Sequence, residues 1–238
     1  YKRQLPILSV ILIICLLIFP EDFSTSAVLF LTSMLVLFLG RIPLKQIGLL
    51  VGIGLLVLGG AFTYVMKSDV QFGRIATMKS RIEAFSSGSD DGGTYQSRQA
   101  KIAVARGGFI GTGPGRSRQK NILPSPFADF IYAIIIEEYG SIFGGLTLVL
   151  LYLLLLYRSF RIVLLTENPL AALLAIGLSF SLVVQALINM GVAVNLLPIT
   201  GLALPIVSRG GTSILFVSIA FGIILSASRT IYPDREHE

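Results

Sequence analysis

The sequence predicts an all-α integral membrane protein: a polytopic helical bundle of six spans carrying one long extracytoplasmic loop. Two observations lead to that class. Hydrophobic residues make up 54% of the 238 and charged residues only 13%, about half the charged fraction of a soluble domain. The apolar residues are also gathered into six runs whose lengths approach the roughly 20 residues a spanning helix needs, and mean hydropathy is +0.82. Cys15, the single cysteine, cannot form an intramolecular disulfide, and His237, the single histidine, stands in a polar tail. His-centred triads and His-rich metal sites are therefore nearly excluded within this chain.

The first two runs, Leu5–Pro20 and Thr25–Gly40, are short and need flanking residues to complete a span. Lys2 and Arg3 ahead of the first run would suit a signal peptide. No small-residue cleavage site follows, however, and Pro20-Glu21-Asp22 leads directly into the next run, so a hairpin of two spans is expected. Ile47–Met66 is the third span. After a long polar segment come Ile142–Tyr157, Leu170–Met190 and Ile199–Ser226. The expected division is residues 1–66 for the first three spans, 67–128 for the loop, and 129–238 for the last three spans with a short tail.

Basic residues orient the bundle. Lys2, Arg3, Arg41, Lys45, Arg158, Arg161, Arg229 and Arg235 fall at alternate span ends, while the opposite short connections Glu21–Phe23 and Gly191–Pro198 hold none. Positive charge in short loops marks the cytoplasmic side. Both ends are expected in the cytoplasm and Lys67–Ala128 outside, facing the periplasm or cell exterior. That loop holds ten of the 19 basic residues against four acids. Concentrated there, the net charge of +6 points to anionic lipid chemistry and not to nucleic acid. Ser86–Gly93 reads as flexible. Tyr95–Arg106 reads as helix, with Gln99, Ile102, Ala103 and Arg106 on one face.

The richest stretch runs from Gly107 to Gly145. Five glycines between Gly107 and Gly115 give a turn-rich backbone with exposed N–H groups, and Arg116, Arg118 and Lys120 follow at once. N–H groups and cationic side chains are the usual holders of phosphate oxygens. The pattern is neither a P-loop nor a dinucleotide fingerprint, and a glycine-rich connection bearing solvated cations would look the same. Asp129 stands between Pro124-Ser125-Pro126 and the apolar run Phe130–Ile136, at the expected water–membrane boundary. Helix capping and acid–base chemistry both fit it. Glu137 and Glu138 are embedded among apolar residues, where charges normally face a protein interior or a cavity. A helix break at Gly140 and pairing with a buried cation, Arg209, are expected. Leu204–Ser213 interrupts the last run with proline and paired glycine, which predicts a broken or re-entrant segment. Asn189, Gln185 and Asn195 add polar groups nearby. Glu137, Glu138, Asn189, Ser208, Arg209, Thr212 and Ser213 are the candidate cavity lining, although close helix packing would also use such small residues.

These residues resemble the SEDS (shape, elongation, division and sporulation) family of bacterial cell-wall proteins. The resemblance runs through Arg81, Tyr95-Gln96, Gly107-Gly108, Gly111-x-Gly113-x-Gly115-x-Ser117-x-Gln119-Lys120, Leu123-Pro124, Asp129-Phe130-Ile131 and Glu137-Glu138-x-Gly140. It continues through Asn189-Met190-Gly191, Leu197-Pro198-x-Thr200-Gly201, Leu204-Pro205 and Ser208-x-Gly210-Gly211-Thr212-Ser213. Asn195–Pro198 and Pro20–Thr25 look more like division-type (FtsW-like) members than elongation-type (RodA-like) ones. The chain departs from the family at Arg209, where many members have an uncharged residue, at Phe127-Ala128, and at Ser24.

The resemblance implies a ten-span fold in the bacterial cytoplasmic (inner) membrane, with these six as the C-terminal spans, and a peptidoglycan glycosyltransferase that polymerises lipid II in cell division. It implies Asp129 as catalytic base and Arg116, Ser117, Arg118, Gln119, Lys120, Arg81 and Gln96 as substrate and pyrophosphate contacts. It further implies a class B penicillin-binding protein and other divisome proteins as partners. A divalent cation, Mg or Mn, could assist at the pyrophosphate, but no residue cluster demands a metal or other cofactor. Three alternatives stand beside it: an elongation-type (RodA-like) polymerase; a lipid II flippase, which would use the same substrate groups but favour internal repeats that the chain lacks; and a non-catalytic scaffold activating a transpeptidase, for which charge-neutral changes in the outer loop would leave activity unaffected.

Overall fold

The computed structural model describes residues 5–67, 92–123 and 126–229. Among these residues the chain is helical, with no strand. Its contacts divide it into two units, Tyr1–Thr94 and Tyr95–Glu238.

The first unit holds α1 (Leu5–Ile18), α2 (Phe23–Leu39) and α3 (Leu44–Lys67). The expected hairpin is present. Asp22 ends the connection and caps α2: its Oδ1 accepts from the N–H groups of Ser24 and Thr25, both at 3.1 Å, and its Oδ2 from the Thr25 hydroxyl at 2.6 Å. A cap of this kind is worth about 1 kcal/mol. Ser26 ties the two helices together by donating to the Cys15 carbonyl at 2.8 Å. Leu8, Met34, Leu37 and Leu50 form the core of this unit.

The second unit holds α4 (Gly92–Gly107) from Tyr95 onward, α5 (Ile131–Gly140), α6 (Thr147–Leu165), α7 (Pro169–Ala193) and α8 (Gly211–Arg229). Asn168 caps α7 through Leu170 N–H at 3.0 Å, with Pro169 in the first turn, where its missing N–H costs nothing. α6 and α7 form an antiparallel pair joined at Ser159 and Ser179, whose hydroxyls bond to each other in the interior. Alanines at 171, 175, 220 and 227 let α6, α7 and α8 approach closely around Ile162, Leu182 and Ile224. A second core lies under α5, where Phe130, Ala133, Ile136, Tyr152, Val183, Ala186 and Leu204 pack with Ala100 and Ala103 of α4.

Among the described residues, three helical segments are long and apolar enough to cross a membrane: Ile131–Leu165, Pro169–Ala193 and Gly211–Arg229. The apolar stretches of α1–α3 are shorter. Many leucines and phenylalanines on α6 and α8, among them Leu150, Leu154, Leu215 and Phe216, are exposed, as a lipid-facing surface requires.

Two expected boundaries need correction. The fourth span does not begin at Ile142. Helix already starts at Ile131, breaks at Gly140 (φ 83°), and passes through a widened π-type stretch over Ser141–Leu146 before α6. The sixth span does not begin at Ile199. Residues 199–210 are non-helical and α8 starts only at Gly211. At the fourth span the charges of Glu137 and Glu138 interrupt hydropathy although the segment is already helical; at the sixth, hydropathy runs on through Pro205 and Gly210-Gly211, where the backbone is not helical. The expected helix over Tyr95–Arg106 is present within α4. The flexible reading of Ser86–Gly93 falls, up to Asp91, outside the described residues, as does Arg81.

Candidate functional site

The basic turn is fastened to the broken end of α5 by main-chain atoms. Thr112 N–H donates to the Glu137 carbonyl and Gly113 N–H to the Glu138 carbonyl, both at 2.9 Å. In the other direction, Ser141 N–H reaches the Gly108 carbonyl at 2.9 Å. Backbones this close leave no room for side chains. A Cβ at Gly107 would lie 2.0 Å from the Ile136 carbonyl oxygen, and one at Gly111 2.3 Å from that of Glu138. One at Gly140 would meet the Phe109 carbonyl oxygen at 2.3 Å. Gly111 and Gly140 also have φ values of 91° and 83°, which side chains disfavour.

Glu137 completes the docking. It is fully buried. Its carboxylate accepts from the Ser117 hydroxyl, from Arg118 N–H at 3.1 Å and from Gln119 N–H at 3.3 Å. Arg106, at the end of α4, approaches it to 3.7 Å. Glu138 is half-buried and accepts from Ser117 N–H at a longer 3.4 Å. The turn's N–H groups were expected to be exposed and available to phosphate. Those of Thr112, Gly113, Ser117, Arg118 and Gln119 instead point into α5, because a buried carboxylate and two orphan helix-end carbonyls require donors. What the turn shows to solvent is side chains: Arg116, Arg118, Phe109 and Ile110 are exposed. The Lys120 ammonium folds back onto the Gly115 carbonyl at 2.8 Å.

Asp129 sits just before Phe130, the N-cap residue of α5, whose own side chain makes no capping bond. The main chain beneath Asp129 is held at three successive carbonyls. Arg209 N–H donates to the Phe127 carbonyl at 2.8 Å, the Ser208 hydroxyl donates to that of Ala128, and the Asn189 amide donates to that of Asp129 at 2.9 Å. The donors come from the end of α7 and from the non-helical segment 199–210. That segment is itself pinned by side chains. Asn189 also donates to the Leu202 carbonyl at 2.6 Å, Gln185 to that of Ala203 at 3.0 Å, and the Tyr152 hydroxyl to that of Pro205. Leu204 N–H returns to the Ser208 hydroxyl at 2.8 Å. Broken backbone within a membrane protein must find partners inside the protein, and these side chains supply them.

The expected site residues thus fall into two assemblies on one short helix. Ser117, Arg118, Gln119, Glu137 and Glu138 meet at the C-terminal end of α5; Asn189, Ser208 and Arg209 meet the Asp129 segment at its N-terminal end. Gln96 is half-buried in α4, Thr212 is exposed and Ser213 half-buried at the start of α8. The cation that meets Glu137 is Arg106. Arg209 had been expected there, but its guanidinium is on an exposed residue and its N–H serves Phe127. Tyr152 went unremarked in the sequence, although a lone tyrosine inside a leucine run signals a buried hydroxyl seeking a partner. No three histidine, cysteine or carboxylate side chains gather as a metal site among the described residues.

A family model described as "Cell cycle protein" (FtsW/RodA/SpoVE) matches residues 2–232. The chain belongs to this family. It is 37% identical over 215 residues to "Probable peptidoglycan glycosyltransferase FtsW" of Alkalilimnicola ehrlichii, covering 88% of this chain and 51% of that protein. It is 35% identical over 209 residues to "Stage V sporulation protein E" of Bacillus subtilis, covering 87% of this chain and 55% of that protein. A solved chain, from "Structural coordination of polymerization and crosslinking by a peptidoglycan synthase complex", superposes with a TM-score of 0.70 at 25% identity. The match covers 92% of this chain and 59% of that one. The chain therefore spans about half the length of the curated relatives it matches, and its helical fold is that of a polytopic membrane protein.

Proposed function

We propose that the protein is a peptidoglycan glycosyltransferase, polymerising lipid II on the outer face of the bacterial cytoplasmic membrane for the division septum. The observation that carries this reading is the single acid held on a fixed main chain just before a helix whose far end anchors a cationic turn. The FtsW names of its relatives support the reaction class and the septal role. In the reaction, the Asp129 carboxylate takes the proton of the acceptor sugar's 4-hydroxyl as that oxygen attacks the donor's anomeric carbon. The bond from that carbon to the pyrophosphate oxygen breaks, and undecaprenyl pyrophosphate leaves with inversion. With the N–H groups of Thr112, Gly113, Ser117, Arg118 and Gln119 committed to α5, the phosphate contacts fall to the side chains of Arg116, Arg118 and Lys120. A class B penicillin-binding protein is the proposed partner, supported by the likeness to a chain of a synthase that coordinates polymerisation with crosslinking.

The test is a matched pair of variants, Asp129→Asn and Asp129→Ala, assayed for glycan polymer and for thermal stability in detergent. Asparagine caps helices about as well as aspartate but cannot accept the proton. Loss of a general base costs about 10²- to 10⁴-fold, so both variants are expected to lose polymerisation to that extent. An Asn variant that polymerises at the parent rate would reduce Asp129 to a structural residue. Movement of lipid II between leaflets without any polymer would favour a flippase.

A further inference from the structure

We propose that Asn189 is a positioning residue for Asp129, its amide setting where the carboxylate stands. The inference rests on the proposed role of Asp129 as base. Asn189 is 1% exposed, and its nitrogen is spent on two carbonyls from distant parts of the chain, those of Asp129 and Leu202. Both are acceptors, so the amide can be oriented only one way. Its Oδ1 is then left buried without a hydrogen-bond partner among the described residues. An orphaned buried acceptor is destabilising, which is an odd feature for a residue whose task is to hold the core together. It is intelligible if what matters is the place of the two carbonyls.

The surroundings are consistent with that role. Residues 127–129 precede the helix, so their carbonyls have no helical obligation, yet each receives a donor from 189, 208 or 209. The next residue, Phe130, is locked in the core at 1% exposure. Asp129 itself is half-buried. The main chain of 127–129 is thus held at three successive carbonyls. A general base works only within about half an ångström of its productive position, and a 1 Å displacement costs about 10²-fold.

The experiment compares Asn189→Leu, Ser208→Ala and Asp129→Asn in the whole protein reconstituted in lipid, reading kcat and KM for lipid II, thermal stability, and amide exchange over residues 126–131. Leucine keeps the shape of asparagine and removes both the donor and the orphaned acceptor. The expected result for Asn189→Leu is a kcat lower by about 10- to 100-fold, a KM within about 3-fold of the parent, a modestly lowered melting temperature because two buried carbonyls lose their donor, and faster exchange over 126–131. Ser208→Ala, which frees only the Ala128 carbonyl, is expected to show the same pattern in weaker form. It decides the matter if the leucine variant fails to fold. Parent kcat in both variants alongside an inactive Asp129→Asn would overturn the positioning role and leave the base intact. A fall in kcat with unchanged exchange over 126–131 would also overturn it. An active Asp129→Asn would instead remove the reading on which the inference stands.

Discussion

Glu137→Gln should loosen the basic turn, and the structure says by how much. The wild-type carboxylate receives three donors in a fully buried site and one guanidinium at 3.7 Å from a residue whose side chain is 32% exposed. A long, partly exposed ion pair is worth less than about 1 kcal/mol. A hydrogen bond to a charged group contributes about 1.5–3 kcal/mol. Glutamine keeps one acceptor oxygen and turns an NH2 toward a donor, so it loses at least one such bond and adds a repulsive contact. A cost of about 2–4 kcal/mol follows, equivalent to roughly 30- to 700-fold in the population of the undocked turn. The assay is hydrogen exchange over residues 107–121 in detergent or nanodiscs, where the Thr112, Gly113, Arg118 and Gln119 amides should lose protection by that factor. Arg106→Gln should change the same amides by less than about 5-fold, since the ion pair is the smaller effect. If Glu137→Gln exchanges within 3-fold of the parent, or if Arg106→Gln has the larger effect, the account of the docking is wrong.

Gly111→Ala would place its methyl 2.3 Å from a carbonyl oxygen at φ 91°; the protein should still insert, with the turn undocked by the same exchange measurement. Replacing Arg116, Arg118 or Lys120 singly by Gln should lower lipid II polymerisation by about 10- to 150-fold per lost phosphate contact, with expression unchanged. Tyr152→Phe removes the hydroxyl that holds the Pro205 carbonyl, and should cost about 0.5–1.5 kcal/mol in thermal stability. A cysteine introduced as S87C should react with an impermeant reagent on intact cells; reaction only after permeabilisation would reverse the proposed orientation.

What could be read from the sequence was what local chemistry controls. The 3.6-residue spacing of Gln99, Ile102, Ala103 and Arg106 announced α4. Gly140 announced the break in the helix bearing the two glutamates, and Pro205 with Gly210-Gly211 announced the interruption before α8. What could not be read were pairings across distance. Ser117 and Glu137 are 20 residues apart and Asn189 and Asp129 are 60 apart, and no spacing rule links them. The choice of Arg106 over Arg209 as the cation beside Glu137 has the same origin. Charge and depth pointed to Arg209, and only the fold shows that the end of α4 brings Arg106 to Glu137 instead. The exposed N–H groups expected of a glycine-rich turn were misjudged for a related reason: glycine permits close approach to a phosphate or to another backbone alike, and the sequence does not say which is nearby.

The turn's fastening lies in main-chain atoms, three glycines, the Glu137 and Glu138 carboxylates and the hydroxyls of Thr112 and Ser117, while the exposed side chains of Phe109, Ile110, Arg116 and Arg118 make none of these bonds. Holding and contacting are written at separate positions. Evolution can therefore rewrite the displayed residues to suit a different lipid, sugar or peptide with little penalty in folding, since no displayed side chain is also a rivet. A saturation library would show this as two populations: near-complete tolerance for insertion and folding at 109, 110, 116 and 118, and near-complete intolerance at 107, 111, 137 and 140. Such a division makes the turn a natural place to graft altered specificity onto an unaltered frame.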